Sequence, residues 1–208
     1  MSKTSMPRPS IMPSAPGTIA DAEGDIAALV YASGDRPDLV LRDFAKRLAG
    51  AGHRVCGLIQ LRDRSTDEMH GRVVVLDGWE MQVVEVARKE DIVGDSRCRL
   101  DGDWLDRMGR QAKASIRRGV DAVIVNRFGP LEVAGRGFRD AIVAASETET
   151  PLIIAVPDFE FERWTRFSNG MTIRLDCTLE RLLDWWQAVS SRGSQMPGGE
   201  PRACELLK

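Results

Sequence analysis

Two apolar runs bracketing one amphipathic stretch constrain the fold of this chain most. Ile26-Ala-Ala-Leu-Val-Tyr31 is apolar without alternation and stops at Ser33-Gly34, the pattern of a strand buried on both faces. Asp35-Arg36-Pro37-Asp38 then breaks the run, and Leu39, Val40, Phe44, Ala45 and Leu48 recur at helical spacing. Asp38 is the expected N-cap, its carboxylate accepting from first-turn amides. The helix ends at Gly50 and Gly52, and Val55-Cys-Gly-Leu-Ile-Gln60 reads as a second strand. Strand, helix and strand in so short a span form a βαβ unit, which requires a parallel sheet and a right-handed crossover.

The middle of the chain changes regime. Arg72-Val-Val-Val-Leu-Asp77 and Met81-Gln-Val-Val-Glu-Val86 flank Gly78-Trp79-Glu80, which predicts a β-hairpin. A helix from about Asp103 to Arg118, a strand after Asp121, a helix near Gly137–Ser146 and the strand Leu152–Val156 restore the alternation. Leu179, Leu182, Leu183 and Trp186, at i, i+3, i+4 and i+7, predict a last amphipathic helix. The expectation is one α/β domain over residues 25–191, with a mainly parallel sheet and a β-hairpin insertion. Residues 1–24 hold four of the ten prolines and the 192–208 tail has the same character; both are expected to be disordered.

Composition excludes several classes. A net charge of −2 lacks the basic excess of a nucleic-acid-binding domain. No apolar run approaches the roughly 18–20 residues of a membrane span, and the Pro- and Ser-rich start has no apolar core of a secretory signal. A cytoplasmic location is therefore expected. The four cysteines, Cys56, Cys98, Cys177 and Cys204, show no CxxC spacing, and only two histidines accompany them, which argues against structural zinc.

In such a fold chemistry gathers beyond the carboxyl ends of the parallel strands, where helix N-termini offer free N–H groups. A phosphate loop there reads GxxxxGK[ST]. The first loop, Tyr31-Ala-Ser-Gly-Asp-Arg-Pro-Asp38, has one glycine, no lysine and no Ser/Thr at the helix start. Pro37 also removes a donor, so an ordinary βα turn with an Asp cap is the plainer reading of this segment. The strand Ala122–Val125 ends in Asn126-Arg127, where a nucleotide hydrolase places the acids that hold Mg²⁺ and its water.

Taken in order, these segments resemble the bacterial nucleoside-triphosphatase family of thermophile type over about residues 25–186. Asn126-Arg127-Phe128-Gly129-Pro130-Leu131-Glu132 is similar to that family's Asp-Glu-Ile-Gly-Pro-like motif, keeping Gly129, Pro130 and Glu132 and replacing both acids. The chain resembles more closely a bacterial branch, the domain-of-unknown-function 2478 family. Arg97-Cys98-Arg99-Leu100-Asp101, the strand end Asn126 to Gly129, and the late Trp164, Phe167 and Gly170 carry that likeness. The resemblance implies a three-layer fold of the P-loop NTPase kind with degenerate phosphate and metal motifs. Because members are often encoded beside molybdate-transport genes, it also implies an association with molybdate-transport components.

Losing both acids leaves Mg²⁺ and the attacking water without evident holders. An anion site without metal wants cationic forks and neutral donors, and Arg127, Arg97 and Arg99 with Asn126 make such a set. Ser33, Gly34, Arg36 and Asp38 from the first loop, with Cys98, Gly129 and Trp164, complete the candidate ligand-binding residues. Trp164, Phe167 and Asn169-Gly170, which follow Val156-Pro157-Asp158, read equally as a lid over the site or as an aromatic pair packed under a loop. The plainer alternative pairs Arg127 with Glu132 or Asp101 and leaves Arg97 and Arg99 solvated. Three functions stay open. The first is a non-hydrolysing protein that binds a molybdate-like oxyanion or a nucleotide, accessory to molybdenum uptake or cofactor supply. The second is an atypical nucleoside triphosphatase that uses Arg36 and Asp38. The third is an interaction scaffold with Trp185 and Trp186 at the contact. No catalytic residue or metal ligand is assigned, and the cofactor is left open.

Overall fold

The structure is a computed structural model, and it describes residues 24–62, 69–86 and 100–193. The chain runs β1 (Ile26–Tyr31), α1 (Pro37–Gly50), β2 (Val55–Arg62), β3 (Met69–Gly78), β4 (Glu80–Glu85), α2 (Gly102–Arg117) and β5 (Ala122–Val125). It continues through α3 (Pro130–Val133), α4 (Arg139–Glu147), β6 (Leu152–Pro157), a 3-10 turn (Asp158–Glu160), α5 (Phe161–Phe167), β7 (Ile173–Asp176) and α6 (Leu179–Gly193). The expectation of disorder in residues 1–24 and 192–208 falls, apart from Gly24, Arg192 and Gly193, outside the described residues.

The strands form one sheet in the order β4-β3-β2-β5-β6-β1-β7. The five from β2 to β7 in that order pair in parallel, and β3 and β4 add an antiparallel hairpin beyond β2. The hairpin turns over Gly78-Trp79, with Asp77 opposite Glu80. Gly78 has φ +70°, which suits a two-residue hairpin turn.

Alternation along each strand divides the core in two. Ala27, Leu29, Ile124, Ile153 and Ala155 pack against Leu41, Phe44 and Leu48 of α1 and Leu182 and Trp185 of α6. Ala28, Val30, Val123, Val125, Ile154 and Val156 meet Leu105 and Ile116 of α2, Ala141 and Ala145 of α4, and Trp164 of α5. Each fully buried Leu, Ile or Phe contributes about 1.5–3 kcal/mol relative to exposure. These layers make the expected three-layer α/β fold.

Two sequence expectations are corrected. Asp38 does not cap α1: Arg36 occupies the N-cap position without a side-chain cap, and Pro37 and Asp38 are the first helical residues. The strand β7 has no counterpart in the pattern reading. It is four residues long, and Arg174 and Asp176 are exposed, so it lacks the continuous apolar signal of its neighbours. Among the described residues no helix is long and apolar enough to cross a membrane.

Candidate functional site

The carboxyl ends of the five parallel strands lie on one edge. α1 leaves β1 across the face that holds α6, whereas the chain after β6 turns to α5 on the opposite face. β1 and β6 are hydrogen-bonded neighbours, so their connections diverge and open the crevice where ligands bind in open α/β sheets. The loop 32–36 borders it on one side and the turn Asp158–Glu160 on the other. β5 is the next strand, and it stops early: Val125 lies opposite Ile154, while Tyr31 lies opposite Pro157.

The first loop is closed on itself. Ala32 N–H donates to the Asp35 carboxylate (2.8 Å), and Asp35 N–H donates to the Ala32 carbonyl (3.2 Å). Gly34, exposed beside Ser33, takes φ +102°, a backbone state that favours glycine. Leu39 and Val40 donate to the Arg36 carbonyl, and Pro37 has no N–H to give. The Ala32 and Asp35 amides are thus spent within the loop.

Arg36 and Asp38 compensate one another. Arg36 donates from Nε and Nη2 to the two Asp38 oxygens (3.0 and 2.9 Å) and from Nη2 to the Arg62 carbonyl (3.1 Å). Arg62 N–H donates to Asp38 (3.2 Å). Burial alone would raise the Asp38 carboxyl, but the Arg36 and Arg62 hydrogen bonds and charges outweigh it and hold it below its ordinary range. Arg62 is a residue that the sequence reading missed, because the second strand was expected to stop at Gln60. Cys177, just past β7, stands within reach of Asp35 and Asp38; burial first, and then those two charges, push its thiol up to about 12. It is a protonated thiol rather than a nucleophile.

The end of β5 differs in charge. Asn126 and Arg127 are half-buried, and Arg127 makes no hydrogen bond or ion pair among the described residues. The alternative of an Arg127 ion pair with Glu132 or Asp101 is thus absent from this structure, although the Arg127 charge is felt at Glu132. Asp101 instead caps α2, accepting from Trp104 N–H (2.8 Å). Glu132 is buried, accepting from Gly129 N–H (3.0 Å) and Phe138 N–H (3.3 Å). Burial raises its carboxyl pKa, and the amides and Arg127 only partly offset that.

Phe128 anchors the segment. Its N–H donates to the Ala155 carbonyl (2.9 Å), and its ring meets Trp164 and Phe167 at 5.1 and 5.2 Å. Of the two readings of Trp164, the structure shows the packed aromatic and not the lid: it is fully buried, and its indole N–H donates to Thr172 (3.0 Å). Trp185 is likewise core, donating to the Gly24 carbonyl (3.2 Å). Trp186 is half-buried and packs edge-on against Phe44 and His53. Arg97, Cys98 and Arg99 lie outside the described residues. Among those described, no group of His, Cys, Asp and Glu gathers that could hold a metal ion.

Comparison with known proteins bears on the fold and the family. The crystal structure of THEP1 from the hyperthermophile Aquifex aeolicus matches with a TM-score of 0.50 at 16% identity, covering 80% of this chain and 98% of that one. The fold is that of the P-loop NTPases. Over 174 residues the chain is 31% identical to the molybdenum import ATP-binding protein ModC 2 of Bradyrhizobium diazoefficiens, which covers 82% of this chain. It spans only 19% of that protein's length. Residues 26–185 match the model of the family described as "Protein of unknown function (DUF2478)", and the chain belongs to that family.

Proposed function

We propose that this domain binds a small anion, an oxyanion or the phosphate end of a nucleotide, without hydrolysing it. The observation that carries the reading is Arg127, half-buried at the carboxyl end of β5 and without a hydrogen-bonding or ionic partner among the described residues. A guanidinium in that state is suited to bidentate contact with oxyanions, and Asn126 beside it supplies a neutral donor. The opposite loop favours the same division. Its Ala32 N–H donates to the Asp35 carboxylate, and its one arginine, Arg36, is engaged by Asp38, so these two groups are turned to partners within the protein rather than toward a triphosphate.

The similarity to part of a molybdenum import ATP-binding protein supports molybdate-like oxyanions or ATP as ligands, and an accessory place beside molybdenum-uptake components in the cytoplasm. Thermal-shift measurement in chelator with molybdate, tungstate, sulfate, phosphate and ATP tests the reading. At least one of these anions is expected to raise the melting temperature, and Arg127→Ala is expected to abolish the shift. A shift that Arg127→Ala leaves intact overturns it.

A further inference from the structure

Phe159 is the most exposed large apolar side chain among the described residues, at 66%, and its place in the fold is specific. It follows β6 directly, on the turn that borders the crevice between the ends of β1 and β6. Its backbone is held: Phe159 N–H donates to the Asp158 carboxylate (2.7 Å). The turn is also tied to α5, where Arg163 donates to Glu160 (3.3 Å), and α5 is seated through Trp164 on Phe128. The ring is thus carried by a short rigid segment rather than a loose loop.

The same packing fixes the relation to Arg127. Phe128 N–H reaches the Ala155 carbonyl, so Arg127 lies beside the last residues of β6, one strand across. Val125 lies opposite Ile154, so continuing that register sets Arg127 about level with Val156, one strand across and three residues before Phe159 in the chain. That separation suits a ligand with a ring at one end and an anionic group at the other; a bare tetrahedral oxyanion does not span it. The exposed carboxylates Asp35 and Asp158 on the crevice rims repel phosphate but accept from ring amino groups or sugar hydroxyls.

We propose that Phe159 is a stacking platform for the base of a nucleotide whose phosphate end is held by Arg127 and Asn126, with the base in the crevice between β1 and β6. The proposal rests on the anion-binding reading above and narrows its ligand to a nucleotide. It also reverses the polarity usual for a phosphate loop, because the phosphates sit at the β5 end and not over the first loop. Base–aromatic stacking is worth about 1–3 kcal/mol, and each 1.4 kcal/mol is tenfold in affinity.

Calorimetric titration of the full chain with ATP, inorganic tripolyphosphate and phosphate, in chelator, tests it. ATP is expected to bind about tenfold or more tighter than tripolyphosphate, Phe159→Ala to erase that difference, and Phe159→Trp to keep it. The indole emission of the Phe159→Trp variant is expected to be quenched by ATP and not by tripolyphosphate. Because Phe159 is exposed, Phe159→Ala should fold with an unchanged melting temperature. Equal affinities of the wild-type protein for ATP and tripolyphosphate, with both lost in Arg127→Ala, overturn the stacking proposal and leave anion binding standing. Binding of none of the three overturns the nucleotide proposal, and the anion-binding reading falls with it only if molybdate, tungstate and sulfate also leave the melting temperature unchanged.

Discussion

Glu132 sits where its charge is costly, buried behind the β5 strand end with one oxygen on the Gly129 amide and the other on Phe138. Burial raises its pKa from the ordinary 4.5 despite those amides and Arg127. Its contribution to stability is therefore fully present below 4.5 and is lost as pH rises through the higher folded value. Asp38 has the opposite sign: its lowered pKa gives stability present above 3.8 and lost as pH falls through the folded value. We expect Glu132→Gln, which cannot titrate, to lack the decline that the wild type shows on the first rise above pH 4.5. One amide is left unpaired, so the variant should lose about 1–3 kcal/mol in acid and less at neutral pH. Denaturant unfolding followed against pH reads both; a parallel shift of the two curves contradicts the assignment. The strand end at Asn126 and Arg127 was legible in the sequence, because the buried run Ala122–Val125 has to stop and residue type alone puts a neutral donor and a cation where it does. The role of Asp38 was not, since its partner Arg62 belongs to another strand and only folding brings them together.

At the scale of elements, the contact of α2 with the loop before α4 is the tightest test of the packing. A Cβ on Gly109 would run into the Gly137 carbonyl. The loop cannot retreat freely, because Arg136 bonds Asp103 and Asp106 (both 2.7 Å) and Gly137 N–H bonds Asp106 (2.6 Å). Gly109→Ala should therefore destabilise by about 1–3 kcal/mol, although alanine favours the helix by about 1 kcal/mol. Gly50, at the end of α1, has nothing within 4 Å of the place a methyl group would take, and should instead gain about 0.5 kcal/mol as alanine. Thermal melts of the two variants are expected to move in opposite directions; a gain at both positions contradicts the close approach. The elements with strong periodicity, α1, the β3–β4 hairpin and α6, were legible from the sequence. β7 was hidden, because an edge strand with two exposed charged residues carries neither signature, and its place is set by pairing with β1.

For the whole molecule, the order of the parallel strands matters more than any one of them. It brings the first loop and the β5 end to one edge with β6 between them, a relation that no local pattern encodes. Within that frame, the first loop is tied by its own carboxylates and the β5 end carries Arg127, an arrangement that we read as anion binding without hydrolysis. Membership of the family and the partial likeness to a molybdenum import ATP-binding protein leave the chemistry to the site itself. The direct measurement is phosphate release from ATP by the wild-type chain, with and without Mg²⁺, in samples whose ATP binding is followed by calorimetry. The account predicts binding in both conditions and no release above the protein-free rate. Mg²⁺-dependent release that Asp38→Asn or Arg36→Ala abolishes would contradict it.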